Sequence, residues 1–111
     1  MSSYTATAPD RSEVDAFPGA TVIEFGTNWC GYCQAAQPLI CEAFDSNPRV
    51  RHLKIEDGKG RPLGRSYGVK LWPTLIFLRD GVEVARVVRP ADTGVIRDAF
   101  AQLDRGSDSP G

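Results

Sequence analysis

The chain is short of several things at once. No stretch of its 111 residues approaches the ~18 consecutive apolar residues that a membrane-spanning helix needs. Charge of one sign is also missing, since 13 basic and 14 acidic residues leave a net charge of −1. That balance offers no electrostatic footprint for nucleic acid or an anionic membrane, so neither is expected as a partner. The opening residues, MSSYTATAPDRSEV, lack a basic start followed by an apolar stretch. No secretory signal is read there, and a cytoplasmic location is expected. Cysteine is scarce, with three residues, and the odd count leaves at least one thiol unpaired. In a reducing compartment a close cysteine pair points to catalysis or metal rather than to a permanent staple.

What remains is an ordinary globular composition, 41% apolar and 24% charged. The length suits one domain with a core that needs no cross-links. Residues 1–104 are read as a single domain and 105–111 as a flexible C-terminal tail. Thr21 to Phe25 is β-branched and aromatic, and apolar on both faces except at Glu24, which predicts a buried strand. From Cys30 to about Asp45 the period becomes helical, with Ala36, Ile40, Ala43 and Phe44 on one stripe. Asn47-Pro48 stops that helix. Val50 to Glu56 alternates and predicts a strand with Leu53 and Ile55 on one face. A short helix fits around Pro62 to Tyr67. Asp80-Gly81 between two apolar runs predicts a hairpin. Asp92 or Thr93 can cap a last helix whose Val95, Ile96, Ala99, Phe100 and Leu103 face inward. Ahead of residue 20, YTAT reads as a short edge strand and DRSEVDAF as a short helix. A strand, a crossover helix and a parallel strand followed by a hairpin give a mixed sheet of four to five strands, flanked by helices on both faces.

The chemistry concentrates in Thr27 to Pro38, TNWCGYCQAAQP. Three roles are open to Cys30 and Cys33. A Cys3His zinc set with Cys41 and His52 fails on distance, because a helix separates Cys30 from Cys41 by roughly 16 Å. No metal and no other cofactor is therefore expected. A structural Cys30–Cys33 disulfide closes too small a loop to constrain the unfolded chain much. Redox exchange fits the local physics. Turning about 100° per residue from Ile40 places Cys33 near the middle of the apolar stripe and Cys30 on its edge. Cys30 then sits at the first helical turn, where free N–H groups and the helix dipole stabilise a thiolate. Cys30 is expected to be the exposed nucleophile, and Cys33 the shielded thiol that resolves the mixed disulfide. Pro38 lies inside the helix and removes one hydrogen bond.

Trp29, Cys30, Gly31 and Cys33 resemble the thioredoxin family, whose pattern is W-C-G-P-C after a buried strand. The resemblance continues through Pro38 and through YGVKLWPTLIFLRDG, and covers roughly residues 20 to 103. It implies a thioredoxin fold of the α/β class and a thiol–disulfide oxidoreductase that reduces protein disulfides as a monomer. Its partners would be disulfide-containing proteins and a thioredoxin reductase or other dithiol donor. A disulfide isomerase, a dedicated reductant of one partner and a non-catalytic docking module are the alternatives. The resemblance implies that Pro73 is cis beside the cysteines, with the Trp72 backbone able to pair with a substrate chain. Trp29 and Trp72 are expected to flank the cysteines, partly exposed. Glu24 stands where the family commonly has a buried aspartate that exchanges protons with the resolving cysteine. A carboxylate inside an apolar strand is costly unless it is paired or protonated, which is a reason to assign it chemistry. His52 aligns near a family lysine and could pair with Glu24. Cys41 reads either as a small half-buried residue or as a thiol open to oxidation.

Two departures stand out. Arg89 falls where the family usually has glycine, on the face around the active site, and a long cation there should alter partner choice. Tyr32 replaces the family's active-site proline, so C-G-Y-C resembles the motif of periplasmic disulfide isomerases. Tyrosine has the N–H that proline lacks, one more possible donor to the thiolate. The expected potential is somewhat above the about −270 mV of a standard thioredoxin.

Overall fold

Alternation along the strands decides how the molecule is layered. In the computed structural model, which describes residues 3–107, the elements are α1 (Arg11–Asp15), β1 (Ala20–Gly26), α2 (Gly31–Asp45), β2 (Arg51–Glu56), α3 (Pro62–Ser66), β3 (Thr74–Arg79), β4 (Val82–Val88) and α4 (Thr93–Ser107). The strands lie in the order β2-β1-β3-β4, so β1 and β3 are central. β1 runs parallel to β2 and antiparallel to β3, and β3 runs antiparallel to β4. A central strand buries both faces, which is why β1 and β3 read as continuous apolar runs.

Successive side chains of a strand point to opposite faces. Val22, Leu75 and Phe77 therefore meet Ala36, Ile40 and Ala43 of α2 and Ile96, Ala99, Phe100 and Leu103 of α4. Ile23, Phe25, Ile76 and Leu78 point the other way, onto Val14, Ile55, Leu63 and Tyr67. Burying each such side chain is worth roughly 1.5–3 kcal/mol, so both layers are firmly held. Phe100 ties its layer together by edge-to-face contacts with Phe44 and Phe77, at 5.0 and 5.1 Å between ring centres. Glu24 shares the α2 face with Val22, and this puts a carboxylate beneath the helix that carries the cysteines.

The β3–β4 hairpin turns on Asp80 and Gly81, at φ 51° and 82°. A two-residue turn of this hand needs positive φ at both positions, which explains the pair. The Asp80 carboxylate also accepts from the Gly19 N–H at 2.7 Å, tying the turn to the entry of β1. Asp92 rather than Thr93 caps α4, accepting from the Val95 N–H at 3.1 Å.

Four details of the fold differ from the sequence reading, the first being Val95, which is exposed on α4 at 41% while Ile96, Ala99, Phe100 and Leu103 face inward as expected. The sheet has four strands among the described residues, and the YTAT segment contributes only a single parallel bridge, Thr5 to Ile55. Cys30 precedes α2 as its N-cap instead of beginning it. α4 continues to Ser107, three residues into the stretch read as a tail, and residues 108–111 lie outside the described ones.

Candidate active site

The helix start sets the difference between the two thiols. Cys30 has extended backbone, φ −78° and ψ 122°, as an N-cap does. Its Sγ accepts a hydrogen bond from the Cys33 N–H at 3.3 Å. The first turn of α2 carries no acidic side chain to oppose a thiolate there. Both cysteines are free thiols. Cys33, Ala36, Ile40 and Ala43 form the buried stripe of α2, as the period requires.

Cys30 departs from its expected exposure. It is only 8% exposed, against 1% for Cys33. Helical periodicity fixes which way a residue faces, but neighbours from outside the helix decide how far it is covered. Tyr4 packs with both cysteines, and Trp72 closes against them. Trp29 and Tyr32, by contrast, stand out at 73% and 60% exposed, and Gly31 beside them is also exposed.

Burial pushes the Cys33 thiol up to about 11, helped by its hydrogen bond with Cys30 and opposed by the Thr27 backbone and the Tyr4 hydroxyl. At pH 7 a thiol with that value is ionised about once in ten thousand molecules, so a base must take its proton. Glu24 is fully buried nearby. Burial alone would raise its pKa. Hydrogen bonds from His52, Gln37 and Tyr4 and the charge of Lys54 outweigh that and hold the carboxyl below its ordinary range.

The Glu24 partners come from three segments. His52 Nε2 lies 2.9 Å from Oε1, with its ring stacked on Phe44 at 3.8 Å. Gln37 Nε2 donates to Oε2 at 2.9 Å, and the Tyr4 hydroxyl donates to the same oxygen. Lys54 Nζ stands 3.9 Å from Oε2 and bonds the Gln37 amide oxygen. Sequence reasoning named His52 but passed over Gln37, Lys54 and Tyr4. Two of these carried a signal. Gln37 is one helical turn beyond Cys33, and Lys54 is two residues beyond His52 on the same strand face. Tyr4 carried none.

On the other side of the cysteines, the Trp72–Pro73 peptide is cis and Pro73 is buried. Trp72 is half-buried, edge-on to Trp29 at 5.8 Å, with its indole N–H donating to Asp57 at 2.8 Å. The Trp72 carbonyl, expected to be available to a substrate chain, accepts from Arg89 Nε at 2.9 Å. The Arg89 N–H donates to the Pro73 carbonyl at 2.9 Å. Arg89 holds φ 48°, in the region that favours glycine, and its guanidinium lies 3.8 Å from the centre of the Tyr32 ring. The N–H that reaches Cys30 Sγ belongs to Cys33 and not to Tyr32. What Tyr32 supplies is a ring for Arg89. Cys41 is half-buried on α2 beside a small cleft that it shares with Phe44 and His52.

A family model described as Thioredoxin matches residues 5–102, nearly the whole described chain. The chain belongs to the thioredoxin family. The solved structure of thioredoxin 2 from Pseudomonas aeruginosa PAO1 in its reduced form is 58% identical and superposes with a TM-score of 0.85, over 95% of this chain and 98% of that one. Thioredoxin H-type 1 of Nicotiana tabacum is 33% identical over 67 residues, 60% of this chain. The TPR repeat-containing thioredoxin TDX of Arabidopsis thaliana is 35% identical over 81 residues, 73% of this chain. The chain spans 53% of the tobacco protein and 21% of the Arabidopsis protein. Within the thioredoxin frame, Arg89 at a left-handed position and Tyr32 between the cysteines form one contacting pair. No helix among the described residues is long and apolar enough to cross a membrane.

Proposed function

We propose that this chain is a thiol–disulfide oxidoreductase that reduces protein disulfides by dithiol exchange, as a monomer in a reducing compartment such as the cytosol. The observation that carries the reading is the inequality of two adjacent free thiols. Cys30 lies at a helix N-terminus on the edge of the exposed Trp29–Tyr32 surface, and Cys33 lies behind it with its pKa raised by burial. Cys30 thiolate attacks one sulfur of a substrate disulfide, and the other sulfur leaves as thiolate. Cys33, deprotonated with Glu24 as the final acceptor, then attacks Cys30 Sγ. The Cys30–Cys33 bond forms, the Cys30–substrate bond breaks, and the substrate departs with both sulfurs reduced. A thioredoxin reductase or another dithiol donor returns two electrons to the pair. Trp29, Gly31, Tyr32, Trp72, Pro73 and Arg89 form the face that receives the substrate, and His52 belongs to the Glu24 proton network.

Insulin reduction tests this with a chemical dithiol as electron source. Wild type should accelerate precipitation of the insulin B chain, while Cys30→Ser should give only the background rate. Equal rates for the two proteins would remove the catalytic reading and favour a docking module.

A further inference from the structure

Resolution of the mixed disulfide poses a problem that the cysteine pair and Glu24 do not solve between them. The proton of a buried Cys33 must reach a carboxylate whose oxygens already hold four partners. One of those partners touches both ends of the gap. The Tyr4 ring is buried with Cys30 and Cys33 in one cluster, and its hydroxyl donates to Glu24 Oε2. Hydroxyl and sulfur converge on Gly26, where an added Cβ would stand 2.6 Å from Cys33 Sγ and 2.8 Å from the Tyr4 oxygen. Glycine leaves that space open, so the Cys33 sulfur and the Tyr4 oxygen border it from two sides with no side chain from residue 26 between them.

The phenol is held firmly in place. The Tyr4 N–H donates to Asn28 Oδ1 at 2.9 Å. The next residue, Thr5, pairs with β2 through Thr5 N–H to Lys54 O at 2.9 Å and Glu56 N–H to Thr5 O at 2.8 Å. Gln37 Nε2 reaches Glu24 Oε2, the Tyr4 oxygen at 3.3 Å and the Cys33 carbonyl at 3.0 Å. Its amide is oriented by Lys54 on the other side. Burial first, and then the Glu24 charge, raise the Tyr4 pKa, so the hydroxyl is kept protonated. A cleft of about 300 Å³, lined by Tyr4, Asn28, Cys33, Gln37 and Lys54 but not by Trp72, opens this region to water.

We propose that Tyr4 is a further catalytic residue of this site, its hydroxyl carrying the proton between the Cys33 thiol and the Glu24 carboxylate. The proposal rests on the oxidoreductase reading above. As Cys33 sulfur attacks Cys30, its proton passes to the Tyr4 oxygen and the Tyr4 proton passes to Glu24. Tyr4 ends neutral, Glu24 ends protonated, and the substrate leaves as thiolate. When the pair is re-reduced the same protons return. His52, Lys54, Gln37 and Cys30 are the other titratable or polar groups facing this path.

The test uses an aromatic disulfide, dithiobis-nitrobenzoate, with every protein carrying Cys41→Ser. One coloured thiolate is released when Cys30 attacks and a second when Cys33 resolves, and Cys33→Ser identifies the second phase by losing it. Tyr4→Phe keeps the ring. It should slow the second phase roughly tenfold near pH 7 while leaving the first phase within about twofold of wild type, because only the proton route is cut. The slowed phase should recover as pH rises and hydroxide takes over, and adding Glu24→Gln to Tyr4→Phe should slow it no further. Fluorotyrosine placed at position 4 retains every contact and makes the phenol more acidic. It should move the pH profile of the second phase, and this decides the matter even where Tyr4→Phe folds poorly. An unchanged second phase in Tyr4→Phe, equal slowing of both phases, or an unmoved profile with fluorotyrosine each overturns the relay. If Cys30→Ser releases thiolate as wild type does, the oxidoreductase reading itself falls. Two phases in wild type with no effect at Tyr4 would remove the relay alone.

Discussion

Gly26→Ala adds one methyl at the tightest point of the site. The new Cβ would lie 2.6 Å from Cys33 Sγ and 2.8 Å from both Cζ and the hydroxyl oxygen of Tyr4. None of the three can retreat easily. The sulfur belongs to the buried stripe of α2, and the phenol is tied to Glu24. The backbone of residue 26 is also fixed, because it pairs with Glu56 and its carbonyl accepts from the Asp57 N–H at 3.0 Å. Overpacking of this kind costs typically 1–3 kcal/mol, and about 2 kcal/mol is expected here. For a domain of this size each kcal/mol lowers the melting temperature by about 4 °C, so a drop of about 8 °C should be seen by circular dichroism. Gly31→Ala is the control. A Cβ there meets nothing within 4 Å, and its melting temperature should stay within about 2 °C of wild type. The same methyl at position 26 separates Cys33 from Tyr4, so the resolving phase should slow along with the loss of stability. A Gly26→Ala protein that melts within about 2 °C of wild type would show that the thiol and the phenol do not meet at this glycine.

Glu24→Gln should cost about 2 kcal/mol near neutral pH, because it replaces the charged acceptor of three hydrogen bonds. The folded-state pKa of Glu24 is depressed, so its contribution is complete above the ordinary carboxyl value of 4.5 and fades as pH falls below it. Urea midpoints of wild type and variant should therefore converge toward acid, and a gap that is constant or widens there would refute the assignment. Arg89→Ala and Arg89→Gly both remove the contacts with Tyr32 and the Trp72 carbonyl, but only glycine relieves the backbone at φ 48°. The glycine variant should be the more stable of the two by about 1 kcal/mol in denaturant titrations, and the reverse order would contradict the left-handed conformation.

Local physics carried much of this structure into the sequence. β1 and β3 read as apolar on both faces because central strands are covered twice. α2 read as a helix because its buried positions recur at three and four residues, and the hairpin turn needed two residues that tolerate positive φ. The thiol inequality followed from helical phase together with the place of Cys30 at the helix N-terminus. Other features depend on segments far apart in the chain. Tyr4 reaches the cysteines because Thr5 pairs with Lys54 and Glu56 on the edge of β2, and no local pattern announces one bridge between residues so distant. Cys30 is covered by Tyr4 and Trp72, which lie 26 residues before it and 42 after it, so its facing was legible and its burial was not. Arg89 was legible as a departure from glycine. That it reaches back to the Trp72 carbonyl and rests on Tyr32 depends on residues far apart in the chain meeting only in the folded molecule.

The proposed roles divide the site into two sides with separate duties. Tyr32, Trp72, Pro73 and Arg89 stand with exposed Trp29 on the side proposed to receive a substrate disulfide at Cys30. Tyr4, Glu24, Gln37, His52 and Lys54 stand on the side of Cys33. Both halves of the exchange need access to sulfur, but only resolution needs a proton acceptor. A protein docked against Trp29 and Trp72 would seal the front from water at the moment when Cys33 must lose its proton. A route through Tyr4 to Glu24 avoids that conflict, since it opens on the Asn28–Gln37–Lys54 cleft behind. Changes on the front should then alter which disulfides are accepted while the resolving phase stays constant. Changes on the back should alter the resolving phase equally for all substrates.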